Sequence, residues 1–237
     1  MSLRVARLVL AGLAVGLVAT AAGAGTVTGT VVYEGQVPTL KPVSVAAEPI
    51  CAKKHATVPN EALVLGSGNT MGNVLVLVVK GLPAGKTWPA PKEPVIMDQV
   101  GCQYIPHVMG IMVGQPFKVL NTDGILHNVH ALPKVNSQFN MAMPPARKEA
   151  TATFGKEEGM FTVKCDVHPW MHSYMGVFSH PFFAVTKPDG KFSIANLDPG
   201  TYEIEAWHER LGTQKATVTV GATETKPISF KFSPPAK

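Results

Sequence analysis

An all-β fold is predicted for this chain, and three observations predict it. Glycine and proline are abundant, at 22 and 20 of 237 residues. β-Branched residues gather in short runs bounded by turn residues, and no long stretch carries apolar residues at a helical spacing. The length suffices for one large or two small domains.

The strands follow in order. Residues 25–33 alternate small or polar with apolar side chains and read as a first strand. A turn at 34–38 leads to a second short strand at 43–45, and 48–70 reads as irregular. Residues 73–79 are continuously apolar, the pattern of a strand buried on both faces. Residues 81–94 carry four prolines and form a surface connection. Residues 95–97 are a short strand, 101–109 a loop or edge, and 116–121 a strand followed by a turn at Asp123-Gly124. A polar, methionine-containing excursion spans 136–145. In 149–154 period-two alternation turns Ala150, Ala152 and Phe154 to the core. The same parity turns Phe161, Val163 and Cys165 inward together. Residues 174–178 form the next strand. Residues 182–186 and 191–194 then flank Pro188-Asp189-Gly190 as a hairpin, and strands at 201–206 and 216–220 complete the chain.

The N-terminus predicts export. Arg4 and Arg7 precede an apolar run from 8 to about 18 and small residues ending Ala22-Gly23-Ala24. This is the layout of a signal peptide, 1–24, cleaved after Ala24. The run is too short to favour a permanent span, so no membrane span is expected after cleavage. The mature protein is expected in the periplasm or secreted. The net charge is +5, two units of it on the leader arginines. No basic stripe with interleaved aromatics is present, which argues against nucleic acid.

The chemistry gathers in Cys165-Asp166-Val167-His168-Pro169-Trp170-Met171-His172, where a thiolate, an imidazole and a thioether stand at three-residue steps. A soft thiolate, nitrogen donors and a weak axial methionine make the ligand set of a blue-copper site. The second imidazole comes from His127, in the segment that follows the strand at 116–121. His130, three residues further on, falls on the opposite face of an extended strand. Met141 and Met143 read as packing more readily than as a soft Cu(I) hook.

This order of residues resembles the cupredoxins: an Asn at a strand end, then His-Asn-Val, then Cys-x-x-His-x-x-Met. The ligand loop is most similar to that of the amicyanins and less closely to that of the plastocyanins, and the likeness covers roughly residues 95–180. The resemblance implies a Greek-key β-sandwich holding one type 1 copper ion. His127 and His168 would be the imidazole ligands, Cys165 the thiolate and Met171 the axial ligand, with His172 as the alternative axial donor. It also implies that Asn128 tethers the cysteine loop. Trp170 stands between loop packing and an apolar exit for electrons. His130, His172 and Met175 are departures from the pattern.

The strand at 25–33 and the strings at 189–194 and 197–202 resemble the carboxypeptidase regulatory-like (transthyretin-like) β-sandwich. The domain reading is therefore N-terminal strands at 25–47, a copper domain at 48–180 and the small sandwich at 181–237. Either the small sandwich is split around the copper domain, or the two follow in series.

With Cys165 a ligand, Cys51 and Cys102 remain as a disulfide candidate in an oxidising compartment. Two free thiols, or a second metal site on Cys51, His55, Cys102 and His107, are the rivals. His180 and His208 find no partner in the sequence.

The function expected is transfer of single electrons between redox partners, the resemblance implying a c-type cytochrome or a periplasmic dehydrogenase. No acid/base pair or catalytic metal cluster is visible, so no enzyme activity is expected. The alternatives are a periplasmic copper carrier or storage protein and a structural β-sandwich without a redox role.

Overall fold

The computed structural model describes residues 23–234. The predicted leader lies, up to residue 22, outside the described residues. Among the described residues no helix is long and apolar enough to cross a membrane.

The fold is all-β, with two sandwiches. The larger one has a five-stranded sheet in the order Phe139–Met143, His127–Ala131, Glu158–Lys164, His172–Phe178, Val108–Met112. Its second sheet runs Glu149–Thr153, Pro116–Asn121, Val95–Val100, Gln103–Ile105. Inward residues at period two form the core between them, including Phe117, Val119, Val129, Phe154, Val163 and Val177. Phe161, Val163 and Cys165 are all buried, so the parity read from sequence places the thiol at the core end of its strand.

Several elements differ from the sequence reading, among them strands at Val108–Met112 and Thr225–Phe232 that it did not assign. The excursion at 136–145 contains an edge strand, Phe139–Met143, paired with His127–Ala131 so that Met143 stands opposite His127. Phe139, Met141 and Met143 do alternate with Asn140 and Ala142, but methionine is a weak strand signal and two polar neighbours obscure the pattern. The irregular region holds a short helix, Pro49–Lys54. Glu48 caps it by accepting the Ile50 N–H at 3.2 Å, and Pro49 opens its first turn. Six residues are too few for a helical period to show.

That helix lies between Val43–Ser44 and Thr57–Val58, which pair with each other. Val45, Cys51 and Val58 are buried in the larger core. Cys51 is bonded to Cys102, with their Cα atoms 6.0 Å apart.

The smaller sandwich packs the sheet Lys191–Leu197, Gly25–Tyr33, Thr225–Phe232 on the sheet Phe183–Val185, Leu75–Lys80, Gly200–His208, Gly212–Val220. Gly25–Tyr33 runs parallel to Thr225–Phe232 and antiparallel to Lys191–Leu197. The boundaries read at 47 and 48 therefore need correction. The strand at 43 belongs with the larger sandwich, and Leu75–Lys80 is a central strand of the smaller one. A continuously apolar run suits any doubly covered strand, so its hydrophobicity did not say which core it enters.

The sandwiches meet at Leu75, Leu77, Val108 and Phe178, with Phe183, Tyr174 and Trp207 around them. Gly110 and Gly176 face each other in the parallel pair at this seam. A Cβ at Gly110 would stand 2.6 Å from the Phe183 ring, so the close approach requires glycine.

His208, at the end of Gly200–His208, is buried against Phe232. Its Nδ1 accepts the Arg210 backbone N–H at 3.2 Å, which puts the proton on Nε2, where it has no partner. Burial pushes its pKa down to about 4. Between that value and the ordinary 6.5, the unfolded chain binds a proton that the folded chain refuses. The stability of the smaller sandwich therefore falls as pH drops through this window, by up to about 3 kcal/mol. Thermal unfolding of His208→Leu between pH 4 and 7 should show most of that slope removed.

Candidate metal centre

The centre is assembled at one end of the larger sandwich from two segments. The first is the turn that delivers His127. Asn121, buried at the end of its strand, donates to the Ile125 and Met143 carbonyls at 2.9 Å each. It also accepts the Gly124 N–H at 3.2 Å, fixing the turn. Gly124 adopts φ 70°, a conformation natural to glycine.

The second segment is the loop between Glu158–Lys164 and His172–Phe178. Two backbone bonds close it: the Cys165 N–H donates to Met171 O at 3.0 Å, and the Met171 N–H donates to His168 O at 2.9 Å. Asn128, beside His127, ties this loop to its own strand. Its Oδ1 accepts the Asp166 N–H at 2.7 Å, and its Nδ2 donates to Asp166 Oδ2 at 3.0 Å and to Asn140 Oδ1 at 2.7 Å.

These elements bring His127, Cys165 and His168 together. Their exposures are 0, 2 and 1%. Donor atoms of the three lie within 4.8 Å of one another. The two Nδ1 atoms are 2.9 Å apart, and Sγ is 3.6 Å from His168 Nδ1. Burial alone would raise the Cys165 thiol, but hydrogen bonds from His127, His168 and the Asn128 backbone outweigh it and bring the pKa down to about 6. At neutral pH the sulfur is a thiolate. Met171 is buried in the same core.

The proton positions fit an ion at this point. His127 Nε2 lies 3.1 Å from Asp123 Oδ2, a carboxylate that accepts a proton held there and orients the ring with Nδ1 toward His168. The two Nδ1 atoms face each other, and His168 Nε2 is buried without a hydrogen-bond partner. A cation at Nδ1 would leave the ring proton of His168 on Nε2, where the Glu48 carboxylate stands 3.8 Å away. Two imidazoles and a thiolate also suit a metal of intermediate softness, copper among them.

Asp123 is the functional residue that sequence reasoning missed. The sequence offers it only as half of an Asp-Gly turn, although it stands four residues before His127. Its buried carboxylate accepts from the Gly101 N–H at 2.8 Å, the Cys102 N–H at 2.7 Å and Lys54 Nζ at 2.8 Å, as well as from His127. Burial opposes its ionisation, yet these donors hold it well below the usual carboxylate range.

The other candidates take different places. Trp170 lays its ring 5.3 Å from that of His168 and donates its indole N–H to Cys102 O at 3.0 Å. His130 faces away, paired with Asp166 at 2.9 Å. His172 does not join the cluster: its ring meets His107 and Tyr174 at the seam between the sandwiches, so it is no alternative to Met171. As the first residue of its strand it points to the face opposite the core. The Cys51–Cys102 bond removes both sulfurs from the imagined site with His55 and His107.

The model of polysaccharide lyase family 4, domain II, matches residues 158–228. No curated protein sequence matches the chain. Among solved structures, a copper-containing nitrite reductase from Thermus scotoductus is similar at 22% identity and a TM-score of 0.32, over 43% of this chain and 26% of that one. The chain thus spans about a quarter of that enzyme's length. An amicyanin variant is similar at 18% identity and a TM-score of 0.32, over 44% of this chain and 98% of its own. A purple cupredoxin from Nitrosopumilus maritimus is similar at 20% identity and a TM-score of 0.30, over 35% and 98%.

Proposed function

We propose that this chain is an exported type 1 copper protein that carries single electrons between redox partners, such as a c-type cytochrome and a periplasmic dehydrogenase, and is not itself an enzyme. The observation that carries this reading is the buried convergence of one low-pKa thiolate and two imidazole Nδ1 atoms. His127, Cys165 and His168 would hold one copper ion, with Met171 as the axial donor. When bound, copper supplies a one-electron couple between Cu(I) and Cu(II).

The chain's own residues do the rest. Asp123 fixes the tautomer of His127, Asn128 holds the cysteine loop in place, and the apolar core excludes water from the sulfur. Ligands held by such contacts, one on a strand and the others on a tied loop, rearrange little when the charge between them changes. Trp170, half-buried against the His168 ring, offers a path toward the surface.

Around the cysteine site, the described residues do not favour the copper-carrier reading. Met143 is buried in the core, and His130 is engaged by Asp166. His168 lies buried near the capping residue of the disulfide-tethered helix. Voltammetry of the copper-loaded full chain should give a reversible one-electron wave, with copper retained against a Cu(I) chelator. Copper passing to the chelator within seconds would reverse the choice.

A further inference from the structure

We propose that the protein holds a second metal ion, a divalent first-row cation of the Zn2+ or Cu2+ type, at the seam between the sandwiches, on His107, His172 and Glu209. His107 and His172 come from the larger sandwich and Glu209 from the smaller, so the site exists only when the two are docked. It does not depend on copper at Cys165.

The donors are already gathered. His107 Nε2 lies 2.7 Å from Glu209 Oε1, and His172 Nε2 lies 3.9 Å from Glu209 Oε2. The donor atoms of all three lie within 4.8 Å of one another. His172 Nδ1 donates to the Trp170 carbonyl at 3.1 Å, which places the proton on Nδ1 and leaves the Nε2 lone pair facing the carboxylate. A backbone carbonyl setting the tautomer in this way is the usual support of a ligating histidine. His107 is buried, and its Nδ1 has no hydrogen-bond partner but stands 3.5 Å from Glu61 Oε2, a carboxylate on the far side of the ring that would favour the proton on Nδ1 once Nε2 takes the ion. A cavity of about 40 Å³ lined by Glu61, His107, Trp170 and His172 adjoins the cluster, enough for a bound ion with a water.

Two imidazoles and one carboxylate form a borderline donor set that favours Zn2+, Cu2+ or Fe2+ over Ca2+ or Mg2+. His172 directly follows Met171, and Trp170 touches both centres, with its ring on His168 and its carbonyl on His172. The two sites are therefore joined by consecutive residues.

The test is zinc binding by the full chain in a Cys165→Ser background, read by calorimetry and by metal content after dialysis. The site predicts about one Zn2+ per chain, with affinity lowered by at least about tenfold on adding Glu209→Gln or His172→Ala, since even supporting residues cost that much. The His172 side chain is 40% exposed, so His172→Ala should leave the fold intact if Glu209→Gln does not. Copper added to Cys165→Ser should give a wide-hyperfine EPR signal that His172→Ala abolishes. Zinc and copper binding indifferent to both substitutions, or no binding at all, would overturn the site. The type 1 reading fails separately, by the absence of a thiolate band in the wild type.

Discussion

Asp123→Ala should destabilise the metal end of the larger sandwich by about 3–5 kcal/mol, the cost of breaking a buried, fully paired charge. The carboxylate is the only acceptor shown for two backbone N–H groups, at Gly101 and Cys102, and it holds Lys54 and His127 as well. Removing it strands the two backbone N–H groups and the buried His127 ring, while Lys54, 39% exposed, can turn to solvent. The isosteric Asp123→Asn keeps the volume but loses the charge and presents an N–H where an acceptor is needed. It should fold, with metal affinity about 10–100-fold weaker, because His127 no longer has its tautomer fixed. The pH dependence follows from the depressed carboxyl. Its stabilisation is complete above the unfolded value of about 3.9 and is lost as pH falls below it. Acid unfolding of Asp123→Asn should therefore be less steep than that of the wild type. Urea titration and copper competition at neutral pH measure the other two effects.

Removing the Cys51–Cys102 disulfide should cost about 4 kcal/mol. The bond closes a span of 51 residues, and the chain-entropy model gives about this value for a loop of that size. The effect should centre on the metal site. The tethered helix supplies Lys54 to Asp123, and its cap residue Glu48 faces His168, while Cys102 gives its N–H to Asp123 and its carbonyl to Trp170. Two sandwiches need not unfold together, so a local probe is required. Trp170 fluorescence in a Trp88→Phe, Trp207→Phe background should show the lower urea midpoint of Cys51→Ser, Cys102→Ser. Circular dichroism of the smaller sandwich should change little.

The contiguous features of the site were legible in the sequence. Cys165, His168 and Met171 lie on one loop, and period-two parity alone placed the cysteine inward. His127 followed from the need for a second nitrogen. The features that depend on long-range packing were not legible. Asp123 reads as a turn residue until Gly101, Cys102 and Lys54 are folded around it, and nothing local marks Glu48 as a neighbour of His168. The place of His172, which the sequence offers only as the alternative axial donor beside Met171, was not legible either. Its strand register turns it instead to Glu209, on the other sandwich. The apolar strand Leu75–Lys80 announced burial but not its partners, which are set by pairing with Phe183–Val185 and Gly200–His208.

The central claim is that His127, Cys165 and His168 hold copper through the thiolate. The most direct measurement is the visible absorption and EPR spectrum of the copper-loaded chain beside that of Cys165→Ser. The account predicts an intense sulfur-to-Cu(II) charge-transfer band with narrow copper hyperfine splitting, absent in Cys165→Ser. A pale, wide-hyperfine spectrum unchanged by Cys165→Ser would contradict it, placing the copper on histidines alone.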